Sequence, residues 1–300
     1  MDTKLKQSNR TSPWIFIGLI LLSGCSTGVD SLPDPWQVVN VYDEHHSIMT
    51  AGSLDERRTV TGGVLGKMAY SVDGGETWLE TDSAADCRYG IEIVSPKVIW
   101  TCGGATDVRK SVDGGKTWEI LAAFGNPRTI TNPCHSMSFF DESTGWLANS
   151  NLFGTTTDGG NSWRMQSLPE KANKIATIDT YAPGEGYLLD QSGVLFFTED
   201  NGQHWHEAGR LDLGALEMSF SVYQLAAMRF SDADHGMIVV SSGDYAKAGP
   251  VMAFHTADGG KAWVSEVVHV SAGPVYLSRE GNVLTVITGA NQLTLFRYEE

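Results

Sequence analysis

Basic residues are scarce in this chain of 300 residues: 21 Lys and Arg stand against 36 Asp and Glu, for a formal net charge of -15. Phosphate binding needs a surplus of Lys and Arg on one face, so nucleic acid and anionic headgroups are poor partners for the bulk surface. Cysteine is nearly absent, at 4 residues, and its spacing suits neither a zinc ribbon nor a CxxC redox motif. The apolar run at residues 14–22 falls well short of the roughly 20 residues a bilayer-spanning helix needs. The sequence also lacks a phosphate loop, a dinucleotide fingerprint and a Gly-x-Ser-x-Gly elbow, so no cofactor or metal is called for.

The short apolar run has a different use. Lys4, Lys6 and Arg10 precede it, as in the charged region of a signal peptide, and Leu22-Ser-Gly-Cys25 follows directly. That tetrad resembles the lipobox of bacterial lipoproteins, where small residues fit the signal peptidase and the cysteine thiol takes a thioether-linked lipid. The resemblance implies that residues 1–24 are a signal peptide, that Cys25 is acylated, and that the protein is exported and anchored to the cell envelope. Each buried lipid CH₂ adds about 0.8 kcal/mol of membrane affinity. The non-acidic Ser26 implies the outer membrane if the host is Gram-negative. Residues 25–35, small, polar and proline-bearing, read as the lipidated cysteine and its tether.

From residue 36 to 300 the sequence repeats. Five segments share the form Ser/Thr-x-Asp-x-Gly-x-x-Trp, with Asp73, Gly75 and Trp78; Asp113, Gly115 and Trp118; Asp158, Gly160 and Trp163; Asp200, Gly202 and Trp205; and Asp258, Gly260 and Trp263. The intervals between aspartates are 40, 45, 42 and 58 residues, and 40–45 residues is what one four-stranded propeller blade consumes. Each position has a mechanical use. The carboxylate accepts hydrogen bonds from N–H groups that a tight turn leaves unpaired. Glycine permits positive φ. Tryptophan opens the next strand with a large ring to pack. Between boxes, apolar strands flank an acidic or glycine turn, as in Met137 to Ala148 and Met228 to Val240. All fifteen residues are therefore read as structural.

These repeats resemble the Asp-box, or bacterial neuraminidase repeat, of the sialidase superfamily. Within it the Gly-Trp hairpin followed by Thr-x-Asp-Gly-Gly looks closest to the photosystem II assembly-factor-like propellers. The resemblance implies an all-β fold: a single β-propeller of four-stranded antiparallel blades. Five repeats plus three C-terminal strands need one more outer strand. The segment from Pro35 to Tyr42, with Trp36 in the box-Trp position, can supply it and close the ring. Six blades are expected; seven is the alternative if the long interval before Asp258 hides a further hairpin.

Cys87, Cys102 and Cys134 allow one intrachain bridge at most. Cys87 pairs with either of the others on topological grounds; Cys87–Cys102 is favoured, and three unpaired thiols are the alternative. For function, the Asp-box turns occupy one face of a propeller, leaving the first-strand starts and the loops between second and third strands around the other channel mouth. That rule nominates Arg88, Tyr89, Arg128, Asn132, His135, Asn149, Tyr223, Asp244, Tyr245 and Lys247 as a binding face, the last three from the longest insertion in the repeat. The Arg-Ile-Pro element of sialidases is absent, and no catalytic residues are assigned. The expected function is a membrane-tethered binding or assembly scaffold for an envelope protein, or a glycan. The alternative is an extracytoplasmic glycoside hydrolase, which a convergent Asp/Glu pair in the channel would favour.

Overall fold

A computed structural model describes residues 35–43, 47–82, 87–104, 108–121, 133–213, 225–242, 248–271 and 273–299. The chain opens with β1 (Trp36–Asp43). Blade 1 follows as β2 (Ile48–Ser53), β3 (Thr59–Gly63), β4 (Lys67–Ser71) and β5 (Leu79–Asp82). Blade 2 is β6 (Arg88–Ile93), β7 (Ile99–Gly103), β8 (Val108–Ser111) and β9 (Glu119–Ile120). Blade 3 is β10 (Ser136–Phe139), β11 (Gly145–Ala148), β12 (Phe153–Thr156) and β13 (Arg164–Gln166). Blade 4 is β14 (Ile175–Ala182), β15 (Glu185–Asp190), β16 (Val194–Thr198) and β17 (His206–Arg210). Blade 5 is β18 (Ala226–Phe230), β19 (His235–Ser241), β20 (Gly249–Ala257) and β21 (Val264–Ser271). Finally β22 (Val275–Leu277), β23 (Val283–Gly289) and β24 (Gln292–Tyr298) join β1 as blade 6. The described residues thus form six four-stranded antiparallel sheets, and the seven-bladed alternative does not hold.

The first strands touch in a ring, β2 to β6 to β10 to β14 to β18 to β22 and back to β2. The apolar core is divided among the seams between blades rather than gathered at the centre. Trp100 and Cys102 of blade 2 pack with Cys134, Phe139 and Leu147 of blade 3. Trp146 and Phe153 of blade 3 pack with Ile178 and Leu188 of blade 4. Each box tryptophan packs on the seam its blade makes with the blade before it: Trp78 between blades 6 and 1, Trp118 between 1 and 2, Trp163 between 2 and 3, Trp205 between 3 and 4, Trp263 between 4 and 5. Trp36 takes that place between blades 5 and 6, and its strand pairs with the other end of the chain, Trp36 opposite Tyr298. The ring is closed as the sequence predicts.

The Asp-box turns are built as expected. Ser71 donates its hydroxyl to Asp73 at 2.9 Å and accepts from the Gly75 N–H at 2.8 Å, while Asp73 accepts from the Thr77 N–H at 3.0 Å and its hydroxyl at 2.6 Å. The same bonds recur at Asp113, Asp158 and, with His204 in the threonine position, Asp200. At Gly160, φ is +82° and a Cβ would lie 2.6 Å from the Trp100 ring, so backbone and neighbour both require glycine. Gly145 serves the hairpin: Phe139 lies across it, and a Cβ would meet that ring at 2.2 Å.

One expectation is corrected. The disulfide joins Cys102 to Cys134, not to Cys87, which is a half-buried free thiol. Cys102 stands opposite Gly90 in the β6–β7 ladder, where a Cβ would come within 3.0 Å of the Cys102 sulfur and 3.1 Å of the His135 carbonyl carbon. The bare glycine lets blades 2 and 3 approach and turns Cys102 toward the next blade. A register shift between Arg88 and Gly90 offsets Cys87 from it, and the Cys87 carbonyl accepts from the Gly104 N–H instead.

Candidate functional site

The first strands carry polar residues into the channel. From β18, Arg229 reaches across the ring: its Nη2 lies 2.5 Å from a Glu92 carboxylate oxygen on β6, and its Nη1 3.1 Å from Asp179 on β14. Blades 2 and 5 are opposite one another in a ring of six, so the guanidinium spans the channel. Asp179 also accepts from the Phe230 N–H at 2.7 Å and the Ser138 hydroxyl at 2.8 Å, and the Tyr276 ring faces the guanidinium at 5.7 Å. Glu92 and Asp179 are almost wholly buried. Burial pushes both carboxyl pKa values up, and the charge of Arg229 only partly offsets it. Burial would lower the pKa of Arg229, but the two carboxylates outweigh it and hold the guanidinium protonated. A second arginine, Arg279, follows β22 in blade 6 and donates to the Phe139 and Phe140 carbonyls of blade 3, again the opposite blade.

Above this floor opens a cavity of about 870 Å³. Its walls come from the ends of first strands and the turns after them, including Phe140, Tyr181, Phe230 and Glu280, together with Tyr298 at the end of β24. It therefore opens on the Asp-box face, the opposite end of the channel from the expected binding face. Trp36 pairs with Tyr298, so the chain enters the propeller at this same end.

The expected binding face is placed only in part. Arg88 and His135 are buried, at 0% and 3% exposure, and Asn149 at 1%. The Arg88 Nε lies 3.5 Å from the Cys87 carbonyl oxygen. Burial lowers the His135 pKa. The Asn149 carboxamide oxygen accepts from the Asn151 and Leu152 N–H groups at 2.8 Å, holding its turn together. These three side chains serve the interior. Tyr89 is half-buried at the β6 register shift. Arg128, Asn132, Tyr223, Asp244, Tyr245, Lys247 and the lipidation candidate Cys25 lie outside the described residues. The sequence rule for the binding face did not nominate Arg229, Glu92, Asp179 or Arg279. A pattern could have found two of them: a charged residue inside an otherwise apolar first strand, as in Ile91-Glu92-Ile93 and Met228-Arg229-Phe230, is a buried charge seeking partners.

The family described as photosynthesis system II assembly factor YCF48 matches residues 127–215. The photosystem II assembly lipoprotein Ycf48 of Synechococcus sp. (strain CC9902) is 29% identical over 183 residues, 60% of this chain and 49% of that protein. The chain is similar to photosystem II assembly-factor propellers over this stretch. The match spans about half the length of the curated relative. Among solved structures, YCF48 bound to D1 peptide superposes with a TM-score of 0.53 at 14% identity, over 89% of this chain and 98% of that one. YCF48 from Cyanidioschyzon merolae gives 0.53 at 15% identity, over 87% and 98%. An ancestral GH74 enzyme gives 0.54 at 11% identity, over 88% of this chain and 36% of that one. At such identities the structural likeness concerns the fold. This six-bladed propeller shares it with enzymes and binding proteins alike.

Proposed function

We propose that this protein is a membrane-tethered, extracytoplasmic scaffold that binds a protein partner in the channel cavity on its Asp-box face. The observation that carries the reading is a large open cavity whose floor is saturated. Glu92 and Asp179 are both committed to Arg229, and Arg279 to two backbone carbonyls. Such a floor is shaped to receive a ligand and holds no acid or base free to move a proton. The relatives point the same way: one is named an assembly lipoprotein, and another was solved with a peptide. Acylation at Cys25, with residues 25–35 as tether, would attach the membrane at the end of the propeller where the cavity opens. Ser26 favours the outer membrane in a Gram-negative host.

The glycosidase reading has one observation in its favour, the convergence of Glu92 and Asp179. Hydrolysis needs one acid to donate a proton and the other to meet the sugar or a water, and neither carboxylate here has been left for that work. The opposite mouth, for which the sequence nominates Arg128, Asn132, Tyr223, Asp244, Tyr245 and Lys247, is the second candidate for docking. A photo-crosslinking amino acid at position 280, on the cavity rim, and another at position 151, exposed at the opposite mouth, separate the two. Illumination in the native envelope should trap one protein from position 280. Trapping from 151 alone would move the site to the other mouth. Trapping from neither would sink the scaffold reading.

A further inference from the structure

We infer that the cavity takes a basic segment of the partner, with a Lys or Arg side chain entering between aromatic walls toward the carboxylate-rich floor; this rests on the protein-binding reading above. Three observations on separate parts of the molecule converge on it. The floor offers two carboxylates to one guanidinium. The other cation facing the cavity, Arg279, already points both Nη groups at backbone carbonyls. An entering anion would meet surplus negative charge and no unengaged donor of opposite sign.

The rim beside the cavity is acidic. Apart from Glu92 on the floor, the cavity lining comes from blades 3 to 6, and the turns between first and second strands in blades 3, 4 and 5 carry Asp141 and Glu142, Glu185, and Asp232 and Asp234, with no Lys or Arg among them. On the far side the same turns carry Arg57 and Arg58 beside Asp55 and Glu56 in blade 1, and Lys97 in blade 2; on the cavity side the blade 6 turn adds Arg279, already bound to carbonyls, and Glu280. Two tyrosines register the field. Burial chiefly, and then Asp234 and Asp232, push Tyr187 up to about 12, and burial with Glu185 raises Tyr181. The walls suit the same ligand: Tyr181, Phe140, Phe230 and Tyr298 line the cavity, and aromatic rings attract cations, the more so when water is displaced. Charge complementarity of this kind sets encounter rate and specificity.

The test uses three labelled twelve-residue peptides in which glycine alternates with Arg, Gln or Glu, titrated by fluorescence anisotropy into the full chain and into a Glu142→Lys/Asp234→Lys/Glu280→Lys variant. The three substituted residues are exposed, and a matching thermal melt establishes that the variant folds. The Arg peptide should bind more tightly than the other two, weaken with added salt, and bind the variant about tenfold more weakly. Tighter binding of the Glu peptide, equal response to all three, or an Arg peptide indifferent to the variant would overturn the inference. The crosslinking at position 280 does not depend on ligand charge. A protein trapped there by a non-basic segment would therefore sink the charge assignment while leaving the scaffold standing.

Discussion

Single side chains in this propeller answer to two opposite pH regimes. The box carboxylates are held down by the hydrogen bonds they accept; Asp158 and Asp200 sit at about 2, Asp158 chiefly through Ser162 and Asp200 chiefly through the His204 N–H. A carboxylate with a lowered folded pKa contributes stability that is present above its unfolded value and lost as pH falls through the folded one. Denaturant midpoints should therefore drop between about pH 4 and pH 2, and the drop should shrink in Asp158→Asn. Glu92 and Asp179 carry the opposite sign. Their raised values favour the fold while they are protonated, and that contribution is lost as pH rises through them. Arg229→Met removes the shared counter-charge from two buried acids. It should cost about 3–5 kcal/mol in urea unfolding at neutral pH, less at pH 4, where the acids can take up protons. The boxes were legible because eight contiguous residues specify each turn. The Arg229 cluster was not, because its members are 50 and 137 residues apart and meet only when the ring closes.

At the scale of strands and turns, the repeat told nearly everything about what pairs with what and little about which way a side chain points. Strand order, the hairpin copies and the closing role of Trp36 follow from spacing alone. The disulfide shows the limit. Cys102 was assigned to its own blade because its strand adjoins the one Cys87 precedes, yet it faces the seam, and only the missing side chain at Gly90 makes room there. The first strands have both faces buried against neighbouring blades, as β18 does with Ala227 on the seam to blade 6 and Met228 on the seam to blade 4, so no solvent-facing side marks which way a residue points. The bond itself fastens blade 2 to blade 3 across 32 residues. Its reduction, or Cys102→Ser with Cys134→Ser, should lower stability by about 3–4 kcal/mol if the native seam is otherwise kept. Before reduction a maleimide should label Cys87 alone among these three; labelling of Cys134 in the oxidised protein would refute the pairing. Trp205 packs edge-on to Trp146 and Phe153, and Trp205→Ala should cost about 3 kcal/mol by opening the seam between blades 3 and 4.

For the molecule as a whole, the ring depends on its ends. Blade 6 takes three strands from one terminus and its outer strand from the other, and Trp36 carries the seam that none of the five boxes supplies. Removing residues 36–43 should leave a chain that no longer unfolds in one cooperative step, seen as separated transitions by fluorescence and circular dichroism. Trp36→Ala in the full chain should lower the midpoint while keeping a single transition. The same join has a consequence in time. Trp36 is made 262 residues before its partner Tyr298, and closing a loop of that length costs about 5 kcal/mol in chain entropy. At about 20 residues per second the first strand waits on the order of ten seconds with its hydrogen-bonding edge unmatched. In that interval the newborn chain is most open to chaperones, to proteases and to its own neighbours, and the hazard ends when β24 meets β1.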